Sequence, residues 1–559
     1  MKRRNFIASA TLPLWGCGKP DGAASSAIDG GFTGIAHERG HLLRTSNVGP
    51  VPDKTTRTRV VIAGGGVAGL AAARALRLNS VEDFALLELE DQAGGNSRPG
   101  SINGIACPLG AHYLPVPGDN AREVQDLLEE LGLRQRVSGR WVYDERHLCH
   151  SPQERLFFRG EWQEGLLPLH NVGRETLAQY QKFADLVAQA RQTSNWMIPI
   201  SKSPLSLEKH ALNAITFVVY LDQHGLTDKY LRWYLDYCCK DDYGAGIATV
   251  SAWAGIHYFA SRHGFTAPSQ ALSAVALDAG REGVLTWPEG NGWLTQQLAN
   301  PLKERLHTGW LVTRIAQLKH GVEVDAYHAQ SKQTQRWQAE QCIVALPVFV
   351  AARVVENPPV FLQDAAAKTR YAPWLVANIH LHTPLHDRPG AAPSWDNVVY
   401  NPPSDAHNAP ESRNGTSLGY VDAMHQSLRS VTGPTVLTHY RAFGDLPEGR
   451  KLLLETPWAH WRDVILAELS LPHPDLPAKT SRIDITRYGH AMAIPVPENS
   501  KQNGLQVSNN LRNQLPKKEQ LDSPLGTAKS SLRFAHSDWA GYSVFEEAFT
   551  MGHEAGQIL

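Results

Sequence analysis

Residues 59–76 read Arg-Val-Val-Ile-Ala-Gly-Gly-Gly-Val-Ala-Gly-Leu-Ala-Ala-Ala-Arg-Ala-Leu, and this stretch decides the fold of the first domain. The β-branched run that ends at Ala63 is typical of a buried parallel strand. Three glycines follow at once, and an Ala/Leu-rich helix former begins at Leu70. Glycine at Gly64 and Gly66 permits a tight turn and close approach to a pyrophosphate, and Gly69 lets the helix pack on the strand. The stretch therefore predicts a strand–turn–helix unit with phosphate at the helix N-terminus.

A second strand-like run, Phe84 to Leu87, ends at Glu88. This acid lies 19 residues beyond Gly69, which is the spacing of a carboxylate that binds an adenosine ribose hydroxyl. Strand, glycines, helix, second strand and acid together indicate a dinucleotide-binding unit. The alternative is a glycine-rich turn without a ligand. The residues predicted to line the dinucleotide site here are Gly64, Gly66, Ala68, Gly69 and Glu88.

Composition limits the class of protein. The chain has 559 residues, of which 42% are hydrophobic and 19% charged, which excludes a largely disordered chain. Lys plus Arg number 54 and Asp plus Glu number 55, so the charge balance gives no reason to expect a nucleic-acid partner. Six cysteines without a C-x-x-C pattern indicate neither a disulfide scaffold nor a zinc ribbon. No apolar run reaches the length of an ordinary membrane span.

The N-terminus resembles an export signal. Arg3 and Arg4 precede Phe6-Ile7 and a short apolar run, which is the plan of a twin-arginine signal. Residues 14–17, Leu-Trp-Gly-Cys, resemble a bacterial lipobox with Cys17 as the lipidated residue. The sequence thus predicts a bacterial protein that is periplasmic or membrane-anchored, with a membrane tether through Cys17. A frayed basic N-terminus is the alternative.

Residues 18–57 are rich in Gly, Ser, Ala and Thr and are predicted to form a linker. Within them, residues 37–41 read His-Glu-Arg-Gly-His and match the H-E-x-x-H pattern of zinc proteases. That pattern binds zinc only on a helix, where both histidines share one face. Because Gly40 lies inside the motif and the flanks lack helical periodicity, the match is interpreted as coincidence and no metal site is predicted.

Further along, residues 94–98 read Gly-Gly-Asn-Ser-Arg and resemble the G-G-R element of the flavin-containing amine oxidoreductase superfamily. That group includes monoamine and polyamine oxidases, phytoene desaturases and protoporphyrinogen oxidases. The resemblance covers most of residues 58–355 and 480–559. The other matching segments are, in chain order, residues 108–113 (Pro-Leu-Gly-Ala-His-Tyr), 287–292 (Trp-Pro-Glu-Gly-Asn-Gly), 310–312 (Trp-Leu-Val), 342–347 (Cys-Ile-Val-Ala-Leu-Pro) and 536–542 (His-Ser-Asp-Trp-Ala-Gly-Tyr).

The resemblance implies FAD as cofactor and an α/β fold, with a discontinuous Rossmann-like FAD-binding domain and a mixed α+β substrate domain. It also implies that a helix after residue 546 aims its N-terminus at the flavin. The segments predicted for the FAD-binding domain are 58–150, 281–355 and 481–559 with a polar insertion at 498–530; those of the substrate domain are 151–280 and 356–480; residues 1–17 are the signal. The cofactor-binding residues that the resemblance adds are Gly95, Arg98, Gly110, Ala111, Val312 and Asp538.

Two features of amine oxidases are incomplete in this sequence. The resemblance gives Tyr542 as one wall of the aromatic cage that holds an amine, but Ala491 or Met492 stands where the second tyrosine is expected. Asn378 is placed where amine oxidases carry a lysine that holds a water at flavin N5. The residues predicted near the flavin ring, and thus candidates for catalysis, are His112, Tyr488, His490, Tyr542 and Asn378.

The function predicted is an exported FAD-dependent oxidoreductase that removes a hydride from an amine-like or other small organic substrate. Its electron acceptor is expected to be a quinone or oxygen. One alternative is an FAD-dependent desaturase or isomerase of an apolar substrate. The other is a non-catalytic flavin-binding lipoprotein.

Overall fold

The computed structural model describes residues 28–45, 48–204, 206–262, 264–268, 283–402, 415–427, 431–498 and 531–557. The signal at residues 1–17 with Cys17, and residues 499–530 of the predicted insertion, lie outside the described residues. Within the described residues no helix is long and apolar enough to cross a membrane. Nor do these residues bring together three His, Cys, Asp or Glu side chains that could hold a metal ion.

The described residues form both strands and helices. The strands are β1 Asp29–Thr33, β2 Lys54–Arg57, β3 Val60–Ala63, β4 Phe84–Leu87, β5 Pro99–Ile102, β6 Ile105–Pro108, β7 Tyr113–Pro115, β8 Arg134–Val137, β9 Arg140–Tyr143, β10 Glu154–Phe158, β11 Glu161–Glu164, β12 Val284–Thr286, β13 Leu306–His307, β14 Trp310–Gln317, β15 Val322–His328, β16 Gln333–Ala339, β17 Gln341–Val344, β18 Tyr371–Leu381, β19 Asp396–Val399, β20 Ser417–Asp422, β21 Thr435–Ala442, β22 Thr480–Ala493 and β23 Leu532–Phe534. The α-helices are α1 His37–His41, α2 Val67–Leu78, α3 Arg122–Glu130, α4 Arg174–Thr193, α5 Leu207–Asn213, α6 Phe217–Gln223, α7 Lys229–Tyr243, α8 Ala252–Ala260, α9 Gly292–Ala299, α10 Val348–Val354, α11 Val360–Lys368, α12 Gly449–Glu455, α13 Trp458–Leu469, α14 Leu476–Lys479 and α15 Phe545–Gln557.

A five-stranded sheet in the order β13-β4-β3-β17-β23 is parallel throughout. Its strands come from three distant parts of the chain, so the domain is discontinuous, as predicted. Helices α2 and α15 pack against each other with almost no space between their backbones: a Cβ on Gly552 would lie 2.0 Å from the carbonyl oxygen of Ala68. The Rossmann-like fold class is thus confirmed, and the strand predicted at 84–87 has the bounds of β4.

An eight-stranded sheet in the order β1-β22-β18-β21-β20-β19-β10-β11 forms the second layer of the molecule. Helices α4 to α8 pack on it around a large apolar core. Asp228 caps α7, since its carboxylate accepts hydrogen bonds from the amides of Tyr230 and Leu231. Gly244 ends α7 in the left-handed conformation, with φ of 72°. Cys238 and Cys239 on this helix are buried free cysteines.

The prediction of a linker over residues 18–57 needs correction from residue 29 onward. Strand β1 pairs in parallel with residues 482–486 of β22 and so extends the eight-stranded sheet. Residues 37–41, expected not to be helical, form the one-turn helix α1. Strand β2 joins a separate sheet in the order β14-β15-β16-β2. The local composition of these residues is that of a linker. The strands that pair with β1 and β2 lie hundreds of residues further along the chain, so the local sequence could not indicate them.

Candidate active site

A cavity of about 870 Å³ lies between the carboxyl edge of the parallel sheet and the eight-stranded sheet. At one end it is lined by the turn after β3, by the end of β4 and by residues 94–97. At the other end it is lined by aromatic side chains and by two acids of α7. We describe these as the cofactor end and the substrate end. The carboxyl edge of a parallel sheet is where ligands of this fold bind.

The cofactor end is a cradle of glycines. A Cβ built on Gly66 would meet nothing closer than the Cα of Gly95, at 3.9 Å, so a side chain there would enter the cavity. Gly95 adopts a positive φ of 58°, and its own Cβ would lie 3.2 Å from the Cα of Gly66. The two backbones thus face each other across a gap beside the N-terminus of α2. This gap suits a diphosphate, which needs close backbone approach and N–H donors.

Glu88 is held in position at the end of β4. One carboxylate oxygen accepts a hydrogen bond from the amide of Gly65 at 2.8 Å, and the other accepts from the amide of Glu90 at 2.8 Å. Burial raises the pKa of Glu88. Because both oxygens are fixed by backbone donors, the carboxylate has one orientation at the cavity wall, which fits the binding of a ribose hydroxyl.

Asp538 lines the same cavity just before α15. Its Oδ2 accepts hydrogen bonds from the Tyr371 hydroxyl at 2.6 Å and the Val348 amide at 3.0 Å. Burial alone would raise the pKa of this carboxyl, but His536 and these donors outweigh it and hold the pKa below its usual value. Asp538 therefore presents a charged acceptor, and the N-terminal turn of α15 lines the cavity beside it.

The residues that line the cavity include most of those predicted to bind the cofactor, namely Gly64, Gly66, Ala68, Glu88, Gly95, Gly110, Ala111, Val312 and Asp538. Gly69 does not line the cavity. It lies where α2 packs against the end of β3, and a Cβ there would lie 1.9 Å from the carbonyl oxygen of Gly64. Arg98 does not line the cavity either, so its predicted role in binding FAD stays a prediction. Its guanidinium bonds to the carbonyl oxygens of Gly95 and Gly34 and lies 3.4 Å from Glu90.

Aromatic rings enclose the substrate end. His112 stacks on Tyr440 with ring centroids 4.5 Å apart and contacts Tyr113 edge-on at 4.9 Å. Trp374 and Val376, on β18, complete this wall. Burial lowers the pKa of His112 to about 3, so its ring is neutral near pH 7. His112 was predicted to lie near the flavin ring. In the structure it lines the substrate end of the cavity as a neutral ring among aromatic side chains.

Two consecutive acids on α7 face this end of the cavity and differ in their partners. Asp242 pairs with Arg262 through two hydrogen bonds of 2.9 and 3.1 Å and accepts another from the Tyr542 hydroxyl at 2.6 Å. Asp241 accepts a hydrogen bond of 3.0 Å from the Tyr113 hydroxyl. Burial, and then the charge of Asp242, raise the pKa of Asp241 to about 6. Sequence reasoning missed both acids, because α7 gave no signal beyond its apolar periodicity.

Glu154 and Asp396 lie close enough to Asp241 to interact with it electrostatically. Burial, and then the charge of Asp241, raise the pKa of Glu154 to about 7. The pKa of Asp396 is raised well above its usual value by burial and by these two neighbours, and the Tyr237 hydroxyl lies 3.4 Å from its carboxylate. Among the described residues, no Lys, Arg or His lies within ion-pair distance of any of the three acids Asp241, Glu154 and Asp396. We call these three residues the acidic trio.

The remaining predicted catalytic residues divide into two groups. Tyr488 and His490 line the cavity; the Tyr488 hydroxyl donates to the carbonyl of Leu109 at 2.9 Å, and the His490 ring packs 4.4 Å from that of Phe349. Burial and then Arg450 lower the pKa of His490 to about 4. Tyr542 does not line the cavity, because its side chain is fully buried against Asp242 and Arg262.

Asn378 is buried outside the lining of the cavity, so its predicted place at the flavin stays a prediction that this geometry does not favour. Its amide donates to the carbonyl of Pro108 at 3.0 Å and its Oδ1 accepts from the Thr438 hydroxyl at 2.7 Å. Val376, two residues earlier on the same face of β18, lines the cavity instead. A shift of two residues preserves the alternation of a strand, so the sequence pattern could not distinguish these positions.

Comparisons with known proteins agree with this geometry. A family model for flavin containing amine oxidoreductases matches residues 67–447, more than half of the chain. Polyamine oxidase 4 of rice, Oryza sativa subsp. japonica, is 28% identical over 315 residues, which are 54% of this chain and 53% of that protein. The match therefore spans about half the length of the curated relative.

Solved structures show the same fold over nearly the whole chain. A wild-type putrescine oxidase bound to putrescine superposes with a TM-score of 0.60 at 16% identity, covering 90% of this chain and 98% of that one. A cyclohexylamine oxidase from Brevibacterium oxydans IH-35A gives 0.59 at 17% identity, with 90% and 98% covered. A fatty acid isomerase from P. acnes gives 0.57 at 14% identity, with 89% and 97% covered. At such identities the likeness concerns the fold.

Proposed function

Because the chain belongs to the flavin-containing amine oxidoreductase family, we propose that it is an FAD-dependent oxidoreductase whose substrate is an amine bound as a cation at Asp241. FAD is the cofactor of this family, and the glycine cradle, Glu88 and Asp538 are the residues that would hold it. When bound, FAD supplies the acceptor for a hydride from the carbon beside the substrate nitrogen. The protein's own residues bind and orient the substrate and exclude water.

The observation that carries this proposal is the acidic trio. A buried carboxylate without a cationic partner costs free energy, and its pKa rises in response, as it does for Asp241 and Glu154. An ammonium ion entering the cavity would supply the missing partner. An apolar substrate would leave the carboxylates uncompensated, so the trio argues against the desaturase or isomerase alternative.

The residues around Asp241 have separable tasks. The Tyr113 hydroxyl fixes the orientation of the carboxylate through its 3.0 Å hydrogen bond. His112 and Tyr440 stack on each other and give this part of the cavity wall an aromatic lining. His112 is neutral near pH 7, because burial lowers its pKa to about 3, and it therefore does not repel an ammonium group.

The trio also favours a substrate with two amino groups. Asp241 lines the cavity, while Glu154 and Asp396 lie outside its lining and interact electrostatically with Asp241, and burial raises the pKa of both. An ammonium group bound at Asp241 would reduce the repulsion that, after burial, raises the pKa of Glu154, and the ionised Glu154 could then attract a second positive charge. The names of two relatives, polyamine oxidase 4 and putrescine oxidase, refer to substrates of this kind and support the proposal.

Anaerobic bleaching of the FAD absorbance tests the proposal directly. Purified protein would be mixed, without oxygen, with putrescine, with butylamine as its matched monoamine, and with an unsaturated fatty acid. We expect rapid bleaching by putrescine, slower bleaching by butylamine and none by the fatty acid. Bleaching by the fatty acid alone would favour the desaturase alternative. Bound FAD without bleaching by any of the three would indicate a non-catalytic flavin-binding protein.

We also propose that the protein is exported and that its electrons pass to a quinone or to oxygen. Arg3-Arg4 and the lipobox-like residues 14–17 support export and a membrane tether at Cys17. A twin-arginine route carries folded proteins, which suits a chain that folds around FAD. A membrane-anchored oxidoreductase would have quinones within reach.

A further inference from the structure

We propose that residues 28–45, which we call the N-terminal strap, form a movable closure over the FAD cavity that shuts when the cofactor is bound. The inference concerns cofactor retention, so it holds or fails independently of which substrate is oxidised. The strap precedes the glycine-rich turn in the sequence and contributes several residues to the lining of the cavity. Its composition alone predicts a linker. The lining residues used below are Ala36, His37, His41, Leu43 and Arg44.

The strap spans the two layers of the molecule. At its start, β1 is held in the eight-stranded sheet by pairing with residues 482–486. Toward its end, Leu43 packs against the apolar core of the parallel sheet. Because the cavity lies between these two layers, the intervening residues must cross it.

The crossing segment is fastened by polar contacts on both sides. On the cofactor side, the amide of Ala36 donates to Glu90 at 3.1 Å, and Arg39 pairs with Asp91 at 2.6 Å. On the substrate side, the ring Nε2 of His37 lies 2.8 Å from the carbonyl oxygen of Arg487. Such contacts at half-exposed positions are individually weak and can open without unfolding the rest of the protein.

Helix α1 has little stability of its own. It has five residues, no side-chain cap at its N-terminus and no buried residue. A helix of this length therefore depends on its contacts. Gly34, with φ of 85°, separates it from β1 and marks the position where the backbone changes direction. We expect the movement to occur between Gly34 and Thr45, while β1 stays in the sheet.

Closure places positive charges together around the cavity. Arg44 interacts electrostatically with Arg450, which also lines the cavity and has a buried Nε without a hydrogen-bond partner. Neither arginine has an acid within ion-pair distance among the described residues. His41 adjoins Arg44, whose guanidinium lies 3.1 Å from its ring. Burial and then Arg44 lower the pKa of His41, so the like charges that oppose closure without FAD are those of Arg44 and Arg450.

The charge of the cofactor reverses this balance. The diphosphate that the glycine cradle fits is an anion, and it would reduce the repulsion between the strap and Arg450. FAD therefore stabilises the closed strap, and by linkage the closed strap increases the affinity for FAD. Because the strap crosses the cavity, we expect this gain to appear as slower release of FAD. Arg44 lines the cavity and could face the negative charge of the cofactor. Arg98 is less available for this, because its guanidinium lies 3.4 Å from Glu90.

Limited proteolysis of the full-length protein tests the closure. Trypsin would be applied to FAD-loaded protein and to protein stripped of FAD, and the fragments identified by mass spectrometry. We expect cleavage after Arg39 and Arg44 to be at least tenfold faster without FAD and to slow again on adding FAD. Cleavage after Arg441, which is fully buried, reports unfolding of the whole chain and serves as the internal control. Equal cleavage after Arg39 and Arg44 with and without FAD, at intact Arg441, would overturn the proposal.

A substitution that loosens the strap provides the second measurement. Arg39 does not line the cavity, and Arg39→Gln removes its pair with Asp91 and its hydrogen bond to the carbonyl oxygen of Leu89. We expect FAD release after dilution, followed by flavin fluorescence, to be about two- to fivefold faster, the range for one exposed ion pair. Arg146→Gln breaks an exposed Arg–Asp pair away from the cavity and should leave the rate unchanged. Identical release rates for Arg39→Gln and the wild type would contradict the strap's role in retention.

Discussion

Tyr113 donates a hydrogen bond of 3.0 Å to Asp241 across the substrate end of the cavity, whereas the next residue, Asp242, is bound to Arg262 and Tyr542. Two adjacent acids thus have different tasks. Asp242 is neutralised within the protein and holds the wall together. Asp241 keeps an unneutralised carboxylate toward the cavity, and the affinity of the enzyme for a cation should depend on it.

Replacing Asp241 by Asn tests this division. The amide keeps the size of the side chain but removes the charge, so a hydrogen bond to an ammonium group is no longer charge-assisted. We expect KM for an amine to rise roughly 10- to 100-fold, with a smaller change in kcat, because the loss is mainly in binding. Asp126→Asn, at an exposed position on α3, is the matched control and should behave as the wild type. A change in kcat alone would show that Asp241 does not bind the substrate cation.

The raised pKa of Asp241 predicts the acid limb of the pH profile. Below its pKa of about 6 the carboxyl is neutral and no longer attracts an ammonium ion. With butylamine, kcat/KM should therefore fall about tenfold per pH unit below pH 6. With putrescine the fall should begin nearer pH 7, because the pKa of Glu154 is raised to about 7. The Asp241→Asn variant should lose the limb seen with butylamine, and its persistence would assign that limb to another group.

The same shift affects stability in a defined direction. A carboxyl whose pKa is raised on folding contributes stability that is present below its unfolded pKa and is lost as the pH rises through the folded value. Ionised Asp241 therefore destabilises the free enzyme above pH 6. We expect Asp241→Asn to raise the Tm of the substrate-free protein at pH 8 but not at pH 4, as measured by calorimetry. An equal effect at both pH values would indicate that the substitution acts through packing.

The sequence predicts features that depend on neighbours along the chain. The strand at 84–87, the glycine cradle and the acid at Glu88 lie within about 30 residues, and the structure has them as expected. The strap was missed because its partner strand β22 lies some 450 residues away. Asn378 was predicted at the flavin, but Val376, on the same face of β18, lines the cavity instead. Tyr542 was predicted to form one wall of the aromatic cage. In the structure its side chain is buried, and its hydroxyl accepts a hydrogen bond from Arg262, a partner that the sequence does not indicate.

Replacement of Gly66 by Val tests the cofactor end. The backbone of Gly66 has φ of −72°, so a side chain is tolerated locally, but it would project into the gap facing Gly95. We expect FAD content per protein to fall at least tenfold while the fold, measured by circular dichroism, persists. Gly118→Ala, at an exposed position with open space around it, is the control. Normal flavin absorbance in Gly66→Val would place the diphosphate elsewhere.

Export can be tested at the twin-arginine pair, which lies outside the described residues. Changing Arg3 and Arg4 to Lys should leave the FAD-loaded protein in the cytoplasm, since the receptor of this route reads the arginine pair. Cell fractionation with flavin fluorescence provides the measurement. Unchanged export of the variant would favour the general secretory route. Mass spectrometry of the mature N-terminus would show whether Cys17 carries lipid.

The charge at the substrate end predicts how electrons leave the enzyme. No lysine lines the cavity within the described residues, Arg262 is paired with Asp242, and His112 is neutral near pH 7. A nearby positive charge stabilises the anion that forms when oxygen takes an electron, and among the residues described at the substrate end none supplies a free one. Arg44 and Arg450, which have no acid within ion-pair distance in the described part of the chain, belong to the contact with the strap. We expect photoreduced enzyme to be reoxidised slowly by oxygen and faster by a soluble quinone, as measured by stopped-flow absorbance. Fast reaction with oxygen and none with quinone would contradict this expectation.

Substitution of Val376 tests the effect of charge directly. Val376 lines the cavity beside Trp374, on the same face of β18. Val376→Lys would introduce a cation into the cavity wall, and we expect it to accelerate reoxidation by oxygen about tenfold. Val376→Met adds a long side chain without charge and should leave the oxygen rate near that of the wild type. If both variants changed the rate equally, access to the cavity rather than charge would control it. If Val376→Lys reacted no faster than the wild type while retaining FAD, the electrostatic explanation for slow oxygen reaction would be wrong.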